Sequence, residues 1–112
     1  MLHPAAPPRV PYVAACLKGA PGVFVAASDY VKALPDSIDR WLPRPLFVLG
    51  TDGFGRSESR SALRDFFEVD CRYVMVATLA ALARDGVIQT SEVERAIKET
   101  GINPDKLNPA VS

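Results

Sequence analysis

The sequence predicts an α/β domain with a short parallel sheet, one β-α-β crossover and several packed helices. Two runs, residues 23–27 and 46–49, are continuously apolar and rich in β-branched and aromatic side chains. Such runs are typical of parallel strands that are covered on both faces. An amphipathic helical pattern lies between the runs, and helical patterns fill most of the C-terminal half. With 112 residues, the chain has room for one domain.

The N-terminal residues 1–11 are rich in proline and are expected to form an extended lead-in. A short helix is predicted from about Pro11 to Lys18, where Gly19 ends it. The first strand then covers residues 23–27.

The segment between the strands predicts a helix that begins at Ser28 or Asp29 and is kinked or restarted at Pro35, which removes a backbone donor. Pro43 and Pro45 end it before the second strand, and the crossover is expected to be right-handed. One face of this helix is apolar and is expected to be buried; its residues are Val31, Leu34, Ile38, Trp41 and Leu42.

Three helices are predicted after the second strand. The first begins at residues 57–59, and its expected inward residues are Ala62, Leu63, Phe66 and Phe67. The second runs from Asp70 to Arg84, ends at Gly86, and is apolar nearly all round, so we expect it to be packed on more than one side.

The last helix is predicted from a capping box that begins at Ser91, with Val93, Ala96 and Ile97 facing inward. Gly101 is expected to end it, and residues 103–112 form a tail. Two buried-type strands are few for so many helices, because a buried parallel pair needs neighbours. We therefore expect the chain to be a piece of a larger protein, or its strands to pair with another chain.

Composition excludes several classes of function. Thirteen Lys and Arg residues balance thirteen Asp and Glu residues, so the chain lacks the charge of a nucleic-acid-binding protein. The two cysteines, Cys16 and Cys71, have no zinc-ligand spacing and are expected to be ordinary thiols of a cytoplasmic protein. Neither a membrane span nor a targeting segment is predicted.

The most distinctive segment follows the second strand, where open α/β sheets bind ligands. We call residues 50–57 the 50–57 loop. Backbone N–H groups and an arginine there could hold a phosphate or a carboxylate; alternatively, the glycines only permit a tight turn. The candidate anion-binding or interface residues are Thr51, Asp52, Gly53, Phe54, Gly55, Arg56 and Ser57.

Other polar and aromatic residues predict no chemistry. His3, the only histidine, is expected at the surface or an interface. Asp36, Asp39 and Arg40 are expected on a solvated helix face, as are Glu94, Arg95, Lys98 and Glu99. Tyr30 and Trp41 are expected to be core or interface anchors. The residues therefore predict no catalytic, cofactor-binding or metal-binding group.

Taken together, several segments in order give the chain a family resemblance. Over essentially its whole length it resembles the C-terminal end of the homodimeric, bacterial-type pyruvate dehydrogenase, the decarboxylating component of the pyruvate dehydrogenase complex. The 50–57 loop is the most specific of these segments. They are Leu2-His3-Pro4 and residues 9–13, 25–30, 48–57, 66–70 and 101–109.

The resemblance implies a partial, three-layer transketolase C-terminal-like domain over residues 1–112. It implies that the parent enzyme is an oxidoreductase linked to glycolysis. That enzyme uses thiamine diphosphate and magnesium to decarboxylate pyruvate. That enzyme then acetylates the lipoyl group of dihydrolipoyl acetyltransferase. The family's catalytic and cofactor-binding motifs lie in other domains, so none is carried over and the isolated chain is expected to be inactive.

The partners that the resemblance implies are the remaining domains of the parent enzyme, a second copy of the chain and the acetyltransferase. Self-association is expected because an open strand edge recruits partners. Two alternatives stay open at this point. One is a small binding module that uses the 50–57 loop for an anion or a partner protein, and the other is an assembly surface for the acetyltransferase core.

Overall fold

The computed structural model of the protein describes residues 2–52 and 59–109. The lead-in is exposed up to Val10, and helix α1 (Tyr12–Leu17) follows it, within a residue of the predicted bounds. The chain continues through strand β1 (Phe24–Ala27), helix α2 (Ala33–Asp36), a 3₁₀ turn (Asp39–Trp41), strand β2 (Leu46–Leu49), and helices α3 (Arg60–Phe66), α4 (Cys71–Arg84) and α5 (Thr90–Thr100).

The two strands form a parallel sheet, as the sequence predicts. Phe24 is paired with Leu46, and the register runs through to Ala27 and Leu49. Pro45 directly before β2 and Gly50 directly after it explain why this strand has the predicted bounds. The α/β class with a short parallel sheet is therefore confirmed.

The crossover differs from its prediction. Neither Ser28 nor Asp29 caps a helix, because α2 begins after Lys32, which makes no side-chain cap. The Ser28 hydroxyl instead accepts a hydrogen bond from the Tyr30 amide at 3.0 Å, which closes a local turn. Pro35 lies inside the single turn of α2, and the chain continues as a 3₁₀ turn instead of a longer helix.

The predicted inward face of this crossover is mostly exposed. Leu34 is 63% exposed, and the side chains of Val31, Ile38 and Trp41 are also on the surface, whereas Leu42 is half-buried. The spacing of the apolar residues indicates which face seeks burial, but no element within the described residues covers that face. The prediction that these four residues are buried is therefore wrong for the isolated chain.

Helix α3 begins at the predicted Ser59, whose hydroxyl accepts a hydrogen bond from the Ala62 amide at 3.3 Å. Phe67 is buried and packs edge-on against Phe66, with ring centroids 4.9 Å apart. Leu63 and Phe66 are half-buried, and Ala62 is exposed, contrary to its prediction. The short helix presents a narrower apolar face than its sequence pattern indicates.

Helix α4 has the predicted bounds and is the centre of the fold. The Asp70 carboxylate caps its N-terminus by accepting from the Arg72 and Tyr73 amides, and Gly86 follows its end with a φ of 77°. One side packs on α5 and another on both strands, as its apolar circumference predicts. Tyr73 and Ala77 are its buried residues.

Helix α5 begins one residue before the predicted capping box. Gln89 occupies the N-cap position and makes no side-chain cap, so the role assigned to Ser91 is wrong. The inward face is confirmed, because Ala96 is buried while Val93 and Ile97 are half-buried. Gly101 ends the helix in the left-handed conformation at φ 73°.

The core is thin. Leu49, Tyr73 and Ala77 form its buried cluster, and no described side chain is less than 2% exposed. The radius of gyration is 17.1 Å, whereas a compact domain of this length has about 13 Å. Much of the apolar surface that a complete domain would bury therefore lies on the outside.

Candidate functional site

The carboxyl ends of β1 and β2 bring two turns together. The Thr51 amide donates to the Tyr30 carbonyl at 2.9 Å, and the Thr51 hydroxyl donates to the Asp29 carbonyl at 2.9 Å. The Asp52 carboxylate accepts from the Lys32 amide at 2.9 Å. Both candidate side chains thus bind the backbone of the opposite turn.

Gly50 is required by this close approach. A Cβ atom at this position would lie 2.8 Å from the Tyr30 carbonyl oxygen and 2.8 Å from Cγ of Lys32. The sequence indicates that glycine permits a tight turn here, and the geometry gives the reason. The remaining candidates, Gly53, Phe54, Gly55, Arg56 and Ser57, lie outside the described residues, so their role stays a prediction.

A cleft of about 530 Å³ opens beside these turns, between the end of β1 and the starts of α3 and α4. We call it the carboxyl-end cleft. Two arginines lie on its α3 wall, and Arg64 contacts the Asp29 carboxylate at 3.2 Å. Its polar and charged lining residues are Ser28, Asp29, Arg60, Ser61, Arg64, Asp70 and Cys71. The cleft therefore has hydrogen-bond donors that could bind an anion, but it also contains two carboxylates that would repel an anion.

A charged cluster lies beneath the cleft at the junction of α3 and α4. Arg72 donates to Asp70 at 2.7 Å and also contacts Asp65, and the Tyr73 hydroxyl donates to Asp65 at 3.2 Å. The Asp70 hydrogen bond is the main cause that raises the pKa of Arg72. Burial, followed by the charge of Asp65, raises the pKa of Tyr73 to about 12.

The pKa of Asp70 is lowered by the balance of opposing causes. Burial is the largest single influence and acts to raise it. The hydrogen bonds from the Arg72 side chain and the Tyr73 amide, with the positive charge of Arg72, together outweigh burial. Asp70 is therefore held as an ionised cap and ion-pair partner, which is a structural task.

A second cleft, of about 520 Å³, lies at the amino end of the strands. Its floor is apolar and includes Leu46 and Phe47. At its rim, Arg44 donates to the Gly22 carbonyl at 3.2 Å and lies 3.6 Å from Asp85. This arrangement ties the strand starts to the end of α4.

Other predicted surface residues are on the surface. His3 and both cysteines are exposed. Asp39 is exposed as well, but its carboxylate accepts from the Leu46 amide at 2.7 Å and so fixes the start of β2, a role that the sequence analysis missed. Arg40 lies over the Trp41 ring, 4.7 Å from its centroid, and neither Trp41 nor Tyr30 is a core residue.

The contacts that sequence reasoning missed are long-range. Asp65 and Arg72 are separated by seven residues and a helix boundary, and Lys106 reaches back to Glu68 across 38 residues. No local motif indicates such pairs. Among the residues of this charged cluster, only Asp70 could be predicted from the sequence, because it lies at the N-cap position of a helical pattern.

Two further findings concern the described parts of the chain. Residues 2–52 and 59–109 contain no group of three or more His, Cys, Asp or Glu side chains that could hold a metal ion. None of the helices observed there is long and apolar enough to cross a membrane.

Three known proteins that match this chain share one name. No family model matches the chain. The pyruvate dehydrogenase E1 component of Haemophilus influenzae is 50% identical over 110 residues, and that of Cupriavidus necator is 49% identical over 109; each alignment covers 97% of this chain. The Escherichia coli K12 protein of the same name is 47% identical over 113 residues and covers all of it.

The chain spans about 12% of the length of these curated relatives. An identity near one half, maintained over nearly the whole chain, confirms the resemblance that the sequence motifs indicate. This chain is thus homologous to a segment of the pyruvate dehydrogenase E1 component.

Proposed function

We propose that the chain is a C-terminal, transketolase C-terminal-like structural domain of a cytoplasmic, acetyl-transferring pyruvate dehydrogenase. The parent enzyme would decarboxylate pyruvate with thiamine diphosphate and magnesium and acetylate the lipoyl group of dihydrolipoyl acetyltransferase. The similarity to E1 components over 97% of this chain supports the assignment. The motif order of the sequence supports the C-terminal position.

In the proposed parent enzyme, this domain supplies packing surface and no catalytic group. Its conspicuous polar residues already have structural partners: Asp52 binds the Lys32 amide, Asp70 caps α4, and Asp65 binds Arg72 and Tyr73. In the family that the sequence resembles, the cofactor-binding and catalytic motifs lie in other domains. We therefore assign no ligand of thiamine diphosphate or magnesium to this chain, and propose that the isolated chain is inactive.

The exposed apolar face of the crossover is the main observation that supports a structural role. Leu34 is 63% exposed, with Val31, Ile38 and Trp41 beside it in the chain. Within residues 2–52 and 59–109, the sheet has two strands, so each strand leaves one edge unpaired there. Large exposed apolar surfaces mark interaction sites. We propose that this face is covered by the rest of the parent enzyme, and by self-association when the chain is alone.

Two measurements on the purified chain test this function. Pyruvate turnover with thiamine diphosphate, magnesium and an artificial electron acceptor should be undetectable. Sedimentation should show association that increases with concentration, accompanied by a blue shift in the emission of Trp41, the only tryptophan. Leu34→Lys should weaken the association, whereas Lys98→Met, at an exposed lysine of α5, should not. Turnover of pyruvate, or a folded monomer at high concentration, would contradict the proposal.

The carboxyl-end cleft favours a second candidate, a module that binds a small anion. Arg60 and Arg64 line the cleft, and both are donors for an anion. Calorimetry with inorganic phosphate, pyruvate and thiamine diphosphate tests this candidate, which requires saturable binding that Arg56→Ala and Arg64→Met remove and Arg84→Met retains. Copurification with the acetyltransferase component tests the remaining possibility, an assembly surface.

A further inference from the structure

The junction between α3 and α4 has an unusual backbone conformation. Glu68, two residues after the last residue of α3, has a φ of 62° and is the only described residue other than glycine with a positive φ. Helices commonly end with glycine at this position, because a Cβ atom disfavours the left-handed conformation. Part of the stabilisation comes from α3 itself, because the Glu68 amide donates to the Asp65 carbonyl at 3.2 Å and the Val69 amide to the Arg64 carbonyl at 2.9 Å.

The tail adds side-chain interactions to this junction through Lys106. Its ammonium group donates to the Phe66 carbonyl at 2.9 Å and to the Glu68 carboxylate at 3.2 Å. It also lies 5.5 Å from the centroid of the Phe66 ring. The Lys106 side chain is only 19% exposed, although it comes from a segment that the sequence analysis treats as a tail. A cation is favourable here, because the carbonyl groups at the C-terminus of a helix carry partial negative charge.

The same segment is anchored at its other end. Ile102 packs against the core cluster of Leu49, Tyr73 and Ala77. Between Ile102 and Lys106, the Asn103 side chain accepts from the Asp105 amide at 3.0 Å and holds a turn. The five residues 102–106 thus span from the core to the α3–α4 junction; we call them the tail strap.

We propose that the tail strap is a conformational latch: Lys106 acts as the C-terminal cap of α3, and its release loosens the α3–α4 junction that forms one wall of the carboxyl-end cleft. Arg64 of α3, Val69 of the junction and Asp70 at the start of α4 all line that wall. The Val69 amide donates to the Arg64 carbonyl at 2.9 Å, so the junction and the arginine-bearing wall are directly linked. The proposal is independent of the function assigned above.

Amide hydrogen exchange on the full chain, resolved by residue, tests the latch. The reporters are the amides of Phe67, Glu68 and Val69, which are hydrogen-bonded to carbonyls of α3. Lys106→Met keeps the length of the side chain and removes its donors, and it should speed exchange of these amides by about tenfold or more. Exchange within α5 should remain unchanged. Lys98→Met, an exposed lysine of α5, is the matched control and should have no effect at the junction.

A second variant separates a latch from general stability. Glu68→Gly removes both the cost of the left-handed backbone and the carboxylate that Lys106 binds, so in that background Lys106→Met should change exchange at the junction by a smaller factor. Equal factors in both backgrounds would overturn the link between Lys106 and Glu68. Unchanged exchange at the junction in Lys106→Met, or a uniform increase over α4 and α5, would overturn the latch itself.

Discussion

Asp70 offers the sharpest test of how the α3–α4 junction is stabilised. Its carboxylate accepts from the Arg72 amide at 2.9 Å and the Tyr73 amide at 3.3 Å, and it is an ion-pair partner of the Arg72 side chain. Asp70→Ala should therefore lower the free energy of unfolding, since α4 loses its N-cap and Arg72 loses one of two carboxylates.

The expected loss is about 2 kcal/mol. Removal of an N-cap aspartate costs about 1 kcal/mol and at most about 2. The Arg72 side chain is 35% exposed, so solvent screening limits the lost ion pair to less than about 1 kcal/mol. In a domain of this size, such a loss lowers the melting temperature by about 10 °C. Urea unfolding followed by circular dichroism at one fixed protein concentration measures it.

Two further variants separate the cap from the charge. Asp70→Asn keeps an oxygen acceptor for the α4 amides and removes the charge, so it should cost less than Asp70→Ala. Asp36→Ala, in the exposed single turn of α2, is the control and should be nearly neutral. Equal losses in the alanine and asparagine variants would refute the capping argument.

The pH dependence follows from the lowered pKa of Asp70. Because its pKa is lower in the folded state than in the unfolded state, its contribution is present above about pH 5. The contribution is lost as pH falls through the unfolded value of about 3.9 towards the lower folded value. The stability difference between the wild-type chain and Asp70→Asn should therefore shrink on acidification. A difference that stays constant from pH 6 to pH 3 would contradict the assigned interactions.

Three further outcomes are expected. Gly50→Ala places a Cβ 2.8 Å from the Tyr30 carbonyl oxygen and should cost about 1–3 kcal/mol in urea unfolding; an unchanged midpoint would show that the turns can separate. Tyr73, whose pKa is raised to about 12, stabilises the fold fully below about pH 10 and progressively less above it. Tyr73→Phe, which removes the bond to Asp65, should flatten that alkaline loss, and an unaltered alkaline profile would argue against it. Leu34→Lys should shift the sedimentation profile towards monomer, while retention of the larger species would place the contact elsewhere.

The strands and the long helix could be predicted because their signals are local. Continuous apolar runs fixed the strand positions, with Pro45 and Gly50 limiting β2. Asp70 and Gly86 bound α4, where a capping carboxylate and a left-handed glycine act within one turn. At such positions, neighbouring residues alone determine where an element begins or ends, so the observed bounds agree with the predicted ones.

The crossover could not be predicted in the same way. Its apolar spacing correctly marks a face, but burial depends on whether another element covers that face, and Leu34 is exposed. Pro35 was expected to kink or restart the helix; the structure shows one turn of α2 and then a 3₁₀ turn. The N-cap assignment to Ser28 or Asp29 failed because the Ser28 side chain closes a turn with Tyr30.

The described part of the candidate site lies where the sequence predicts, and the anion-binding or interface role of the 50–57 loop stays a prediction. Thr51 and Asp52 lie at the carboxyl ends of the strands as expected, but they bind backbone groups of the opposite turn. The arginine wall of the carboxyl-end cleft and the contact of Lys106 with Phe66 depend on tertiary packing between distant segments. Spacing along the chain carries no information about such contacts.

Parallel pairing of β1 and β2 has a consequence for the order in which this segment acquires its structure. Phe24 and Leu46 are partners across more than twenty residues, so the intervening loop must close before any ladder bond forms, and that closure costs entropy. Helices α4 and α5 are joined by a short connection and pack against each other, so their contacts are local. We expect this helical hairpin to form first and to provide the apolar surface on which the two strands then dock.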